Sequence, residues 1–271
     1  MDRQDDRHGL LSVQLYSVRD ALAEDRDRTL ARLAEIGFRY VEPYGLGSAD
    51  KSAEERLVAA KSLRRGLDAA GLRVSATHAG LPDEVGSLAE ECAEIGADTV
   101  FVPHPRMVGG FGEDVFGDPG RLTAFADAVN AAGEALAGAG LRLGYHNHDF
   151  EWAKLPDGRS GYDAFWASVD DAILAELDVY WATVAGADPT EVLTRLGARA
   201  VSVHLKDGPA RRGEPQTPIG TGDVDAPAAV RAAGPGLVWH VAEIDITDHD
   251  PFDLLAANAG LLAESGLSRW A

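Results

Sequence analysis

The sequence predicts an α/β protein of the (β/α)8 TIM-barrel class, and three observations carry that prediction. Six times along the 271 residues a helical pattern ends in a small residue and a glycine, and a short apolar strand follows. Strand and helix patterns alternate through the chain, as a parallel sheet covered by helices requires. No glycine-rich dinucleotide fingerprint opens a helix, which leaves a doubly wound open sheet as the second choice.

In chain order, the first strand is expected at Leu10–Tyr16. The six joints are Ala34-Glu35-Ile36-Gly37 before Tyr40–Pro43, Ala69-Ala70-Gly71 before Leu72–Thr77, and Ala93-Glu94-Ile95-Gly96 before Thr99–Val102. The series continues with Gly138-Ala139-Gly140 before Leu141–Asn147, Arg195-Leu196-Gly197 before Ala200–His204, and Gly234-Pro235-Gly236 before Leu237–Ile244. Glycine supplies the left-handed residue that closes a helix at little steric cost, which explains its recurrence. The strand Ile173–Asp178 completes a count of eight. Leu30, Leu33 and Ile36 share one helical face. Ser52 and Glu55 form a capping box, Pro82 opens a third helix, and Pro119 and Pro189 follow the caps Asp118 and Asp188. With no linker composition anywhere, residues 1–271 read as a single domain.

A hydrophobic fraction of 45% and a charged fraction of 25% are those of a soluble globular chain. No apolar run approaches the roughly 20 residues of a membrane span. The polar start, Met1–Arg7, has no apolar signal segment, and the lone Cys92 suits a reducing compartment, so a cytoplasmic location is expected. A net charge of −19 repels polyanions, which argues against nucleic acid and anionic membranes as partners. A homo-oligomer is compatible with this composition.

In a barrel of this class the chemistry sits at the C-terminal ends of the strands. Five of the eight histidines (His78, His104, His146, His148 and His204) fall at those predicted ends. Gln14 and Tyr16 lie at the end of the first strand, Glu42 at that of the second, Asp178 and Trp181 at that of the sixth, Lys206 at that of the seventh, and Glu243 at that of the eighth. In Leu141–Trp152 the alternation sets Leu141, Leu143 and Tyr145 toward covering helices, while Gly144, His146 and His148 line the opposite face, with Glu151 just beyond. Asp178, His204 and Glu243 stand on three successive strands and can converge on one ion. Their oxygen and imidazole donors suit Mn2+, Mg2+, Co2+ or Zn2+, and the lack of thiolates argues against a structural zinc site.

Several runs together resemble one family, the sugar (phosphate) isomerase/epimerase proteins with xylose-isomerase-like barrels. They are residues 13–20 (VQLYSVRD), 37–42 (GFRYVE), 145–151 (YHNHDFE), 177–182 (LDVYWA), 203–207 (VHLKD) and 220–225 (GTGDVD). The resemblance implies one divalent ion held by a Glu, an Asp, a His and a second Glu. Asp178, His204 and Glu243 match the last three. The first Glu has no match, because Gly144 stands where the family pattern places it; Glu151 is the first substitute, with His148 and His146 as alternatives.

The implied activity is isomerisation or epimerisation of a keto-sugar or related polyol through an enediolate. Glu151, Glu243, Lys206 and His78 are the expected catalytic groups. Gln14, Tyr16, Glu42, His104, His146, His148 and Trp181 are expected to bind substrate. No basic cluster marks the strand ends, so an unphosphorylated sugar is favoured. The rival readings are an inosose-type dehydratase or keto-glycoside lyase, an apurinic endonuclease, which the acidic charge disfavours, and a non-catalytic sugar-binding protein. The long loop Lys206–Asp225, rich in Gly and Pro, is expected to be mobile.

Overall fold

A computed structural model describes residues 9–82, 85–234 and 236–271. Among the described residues nine strands are interleaved with helices, save between the third and fourth: β1 (Leu10–Gln14), β2 (Tyr40–Glu42), β3 (Arg73–Val74), β4 (Thr77–His78), β5 (Thr99–Val102), β6 (Arg142–His146), β7 (Leu174–Asp178), β8 (Ala200–Leu205) and β9 (Trp239–Ala242). The residues pack as two compact units. One comprises Met1–Pro43, Arg65–Ser75 and Glu176–Ala271, and the other Tyr44–Arg64 and Ala76–Ala175.

In the first unit the strand order is β3-β2-β1-β9-β8-β7. The registers pair Gln14 with Glu42, Val13 with Ala242, and His204 with Val241, all in parallel. That arrangement brings the carboxyl ends of β1, β2, β8 and β9 to one level. Val13, Val41, Val203, Leu205 and Val241 are buried, as are Leu30 and Leu33 on the helix Arg26–Ile36 and Leu254 and Leu255 on the helix Pro251–Glu264. Val13, Val41, Val203 and Leu205 alternate with Gln14, Glu42 and His204, which puts apolar side chains on one face of these strands and polar ones on the other.

In the second unit the order is β6-β5-β4. Its core is aromatic. Phe125, on the helix Pro119–Gly138, stacks on Phe165 at 5.6 Å, and the Tyr145 ring lies 4.8 Å from Phe165. Leu143 and Tyr145 are buried, as their alternation predicts.

The expected third strand, Leu72–Thr77, is divided into β3 and β4. Ser75 interrupts it: its N–H and its hydroxyl both bond Val41 O, at 3.0 and 3.2 Å, and its Oγ lies 2.7 Å from Ser12 Oγ. The first strand also ends early, at Gln14, whose side-chain oxygen accepts the Tyr16 N–H and starts the 3-10 turn Leu15–Val18. The capping box forms as expected, with Glu55 accepting from Ser52 N at 2.8 Å. Asp118 and Asp188 cap their helices. The helix expected at Pro82 runs from Val85 to Ile95, and Asp83, Glu84 and Pro235 lie outside the described residues. Among the described residues no helix is long and apolar enough to cross a membrane.

The loop expected to be mobile is tied down along its length. Asp207 is fully buried and accepts four backbone N–H groups: Gly208 and Val224 on Oδ1, and Gly220 and Gly222 on Oδ2. A carboxylate with four donors anchors both ends of the loop at once.

Candidate metal centre

The strand ends of the first unit carry acidic and basic residues two positions apart. Glu176 and Asp178 lie on β7, His204 on β8 with Lys206 just past its end, and Glu243 and Asp245 follow β9. Since side chains two apart share a strand face, each pair projects to the same side. The result is a buried array in which carboxylates and cations alternate.

His204 is the hub. Its Nδ1 lies 2.7 Å from Glu243 Oε2, and its Nε2 lies 2.7 Å from Glu42 Oε2 and 3.2 Å from Glu176 Oε2. Burial disfavours its charge, but Glu176, Glu243 and Glu42 together outweigh burial and hold the imidazolium well above its usual range. Glu176 also accepts the Ser202 hydroxyl at 2.7 Å, and Glu42 accepts the Gln14 amide at 3.0 Å.

Lys206 forms the second layer. Its ammonium, 1% exposed, contacts Asp178 Oδ2 at 2.7 Å, Asp245 Oδ2 at 2.7 Å, and Glu243 Oε2. Three N–H bonds thus meet three carboxylates. Asp178 also caps the helix Val179–Val184 by accepting the Trp181 N–H at 2.9 Å, while the Trp181 ring lies 5.7 Å from the ammonium. Burial pushes the Asp178 carboxyl up to about 7, with Lys206 opposing and Glu243 reinforcing the rise.

One ligand atom from each of Asp178, His204 and Glu243 lies within 4.8 Å of the others, and all three residues are buried. Five carboxylates (Glu42, Glu176, Asp178, Glu243 and Asp245) face the two cationic side chains His204 and Lys206. This donor set fits a hard or borderline divalent cation once His204 gives up its Nδ1 proton, because its residual charge is negative and its donors are oxygen and imidazole nitrogen.

Tyr16 is half-exposed beside this array. The Arg19 guanidinium lies over its ring at 4.3 Å and also donates to Asp245 O at 3.0 Å.

The remaining expected residues belong to the second unit. His78 ends β4 and His146 ends β6, with ring centroids 4.8 Å apart. The row continues from His146 to His148 at 5.4 Å, and from His148 to His104 at 5.9 Å. His104 Nδ1 accepts the Arg106 N–H, so Nε2 carries the proton facing Glu113 at 3.2 Å. Burial lowers the His104 pKa, with Glu113 opposing.

Glu151 is fully buried in this unit. Its Oε1 accepts the Tyr145 hydroxyl and its Oε2 the His148 N–H, both at 2.9 Å. Burial pushes its carboxyl up to about 8 against these donors.

Gly144 has a steric explanation. A Cβ there would meet the Phe101 ring and come within 2.7 Å of Leu174 O, so β6 has no room for a side chain at this position. Sequence reasoning left Glu176, Asp245 and Gln216 out of the site. The two acids were signalled by the spacing of two from Asp178 and Glu243. Gln216, in the long loop, had no such signal.

Among the described residues, nine parallel strands interleaved with helices, carrying at their carboxyl ends a His, Asp and Glu cluster that could hold a cation, are those of a TIM-barrel protein. The chain belongs to the xylose isomerase-like TIM barrel family, whose model matches residues 30–234. A sugar phosphate isomerase/epimerase from Parabacteroides distasonis shares its fold with a TM-score of 0.78 and 22% identity, over 98% of this chain and 97% of that one. An L-ribulose 3-epimerase aligns with a TM-score of 0.65 and 18% identity, over 94% of each chain. The IolI protein, solved with a zinc atom bound, aligns with a TM-score of 0.62 and 13% identity, over 94% of this chain and 97% of that one. No curated protein matched the sequence.

Proposed function

We propose that this chain is a divalent-metal-dependent isomerase or epimerase of a keto-sugar or related polyol. The observation that carries the reading is the convergence of Asp178, His204 and Glu243 within a buried, net-acidic array. Kinship with a family whose structural neighbours are sugar isomerases and epimerases supports the substrate class. A divalent ion held by these three residues would supply Lewis-acid stabilisation of the charge that develops on a sugar carbonyl oxygen.

The chain's own groups supply the rest. Glu42 and Glu176 orient His204 by holding its Nε2, which leaves Nδ1 to face Glu243. Lys206 is assigned as the group of the centre that gives a proton to substrate, and Glu243 as the carboxylate that takes one. Gln14 fixes Glu42, while Tyr16 and Trp181 offer apolar ring surface to a sugar. In the second unit His78 is assigned to proton transfer, and His104, His146 and His148 to substrate hydroxyls. To act as a fourth ligand or a base, Glu151 must release Tyr145 and the His148 N–H, so we adopt the three-residue centre. His204 and Lys206 stand among five carboxylates, a net-acidic setting that favours an unphosphorylated substrate.

A second reading, a dehydratase or keto-glycoside lyase, is favoured by Gly144. No glutamate can stand there, so a mechanism using paired strand glutamates lacks one member. Incubation with Mn2+ and candidate keto-sugars in D2O tests both. Deuterium at the carbon next to the carbonyl, with the carbon skeleton and all substituents retained, supports the isomerase. Deuterium uptake with loss of water or an alkoxy group supports the lyase. Neither exchange nor turnover across ketoses, inososes and keto-glycosides refutes both.

A further inference from the structure

Lys206 occupies the carboxylates that the metal centre needs. Its ammonium contacts Asp178 and Glu243, two of the three proposed ligands, and its third partner is Asp245, which is not one of them. Asp245 is held separately. Gln216, 2% exposed, donates its amide N–H to Asp245 Oδ2 at 3.0 Å and accepts the Asp245 backbone N–H at 2.7 Å. The backbone fixes Gln216 in turn: its N–H donates to Ile246 O at 2.7 Å, and the Thr217 N–H donates to Asp207 O at 3.0 Å. A buried side chain that holds both the carboxylate and the backbone N–H of an acid outside the ligand set calls for a reason.

We propose that Lys206 competes within the protein for the ligand carboxylates of the divalent ion, and that Gln216 positions Asp245 as the acceptor that draws the ammonium aside when the ion binds. The inference rests on the metal centre proposed above. Two cations cannot share the same buried carboxylate oxygens without strong mutual repulsion. A flexible four-carbon stem lets the ammonium move while its Cα stays fixed on the strand end. Asp245 is the partner that remains once Asp178 and Glu243 turn to the ion. Gln216 is therefore a positioning residue: it touches neither ion nor substrate, and it acts through Asp245 on Lys206.

Mn2+ binding, followed by the electron paramagnetic resonance of the free ion at one pH and ionic strength, tests this without assaying turnover. The proteins are wild type, Gln216→Leu, Lys206→Met, and the double variant. Gln216→Leu removes no charge and should weaken Mn2+ binding about tenfold by leaving the ammonium on the ligands. Lys206→Met should tighten binding by a similar factor. In the Lys206→Met background, Gln216→Leu should change the affinity by less than about twofold, since nothing remains to be drawn aside. Equal effects of Gln216→Leu with and without Lys206 would overturn the proposal, because they would mark Gln216 as a general support of the site. So would unchanged or weaker binding in Lys206→Met. Lys206→Gln, which keeps a hydrogen-bond donor for the carboxylates, is carried in parallel and decides the comparison if Lys206→Met does not fold. Absence of Mn2+ binding by wild type, or binding that survives His204→Ala, would instead overturn the metal centre itself.

Discussion

The Tyr145 hydroxyl donates to Glu151 Oε1 at 2.9 Å, and both residues are shut off from solvent. Tyr145 belongs to the alternate residues of β6 that turn toward covering helices, and Glu151 follows it there. The donors favour the carboxylate form, but burial is the larger effect and holds the carboxyl near 8. A buried carboxyl that must ionise without a cationic partner is a cost that grows with pH.

That cost falls on the native state as pH rises. Glu151 ionises near 4.5 in the unfolded chain and near 8 in the native one. The native state therefore holds the extra proton between those values. Its contribution to stability is complete below about pH 4.5 and is lost as pH rises to about 8. Glu151→Gln removes this dependence. Urea unfolding at several pH values should show the variant gaining on wild type from pH 5 to 8.5. Asp178, raised to about 7, leaves a residual slope in both proteins. Parallel curves would mean that Glu151 is already ionised throughout the range.

Gly144 gives a second expectation. Alanine there would press on the Phe101 ring and on the Leu174 carbonyl, and overpacking of this kind costs about 1–3 kcal/mol. Gly144→Glu should be worse, and should not restore the glutamate that the family pattern leads one to expect. Phe101→Leu should recover part of the loss in Gly144→Ala, while the backbone carbonyl keeps the rest. Full stability of Gly144→Ala in thermal unfolding would contradict the close packing of β5 and β6.

Much of this organisation was legible in the sequence, for reasons that particular residues make clear. Helix-to-strand joints were readable because Gly37, Gly71, Gly96 and Gly140 all adopt positive φ angles, a backbone demand that leaves a residue-type signature. Asp178, His204 and Glu243 were readable because acidic and imidazole groups at strand ends stand out against apolar strands. The division of the third strand was not, since Ser75 changes its partners through a hydroxyl contact with Ser12, 63 residues away. Gln216 was hidden for a related reason. Its partner Asp245 lies 29 residues on, and nothing local in a Gly- and Pro-rich loop announces the pairing.

His204 should prove to be a structural as well as a functional group. Its imidazolium is shared by Glu42, Glu176 and Glu243, and the side chains of His204, Glu42 and Glu176 are all 0% exposed. His204→Ala leaves these carboxylates without their common cation, and breaking a buried pair by removing one partner costs about 3–5 kcal/mol. Denaturant unfolding should register that loss with EDTA present in both samples. Mn2+ binding should also disappear, as it should in Asp178→Ala, because two protein ligands do not fix an ion that three hold. Wild-type stability in His204→Ala would show that the surrounding carboxylates take up protons at little cost.

The loop after β8 offers the last test. Its composition suggests mobility, yet Asp207 gathers the N–H groups of Gly208, Gly220, Gly222 and Val224, which draws the far end of the loop back to its start. Asp223 N–H reinforces the closure by bonding Gly208 O at 2.7 Å. Gly222 passes so close that a Cβ would strike the Asp207 carboxylate and the Gly208 backbone. Gly222→Ala must therefore push the loop off its anchor, while Gly213→Ala, where a Cβ meets open space, should act only through its φ of 81°. Limited proteolysis at the exposed residues Arg211 and Arg212 should be slow in wild type and much faster in Gly222→Ala. Asp207→Asn should fall on the same side, since a side-chain amide has only one oxygen to offer where the carboxylate uses two. If wild type is cut as quickly as both variants, the loop opens freely despite these bonds, and composition was the better guide to its behaviour.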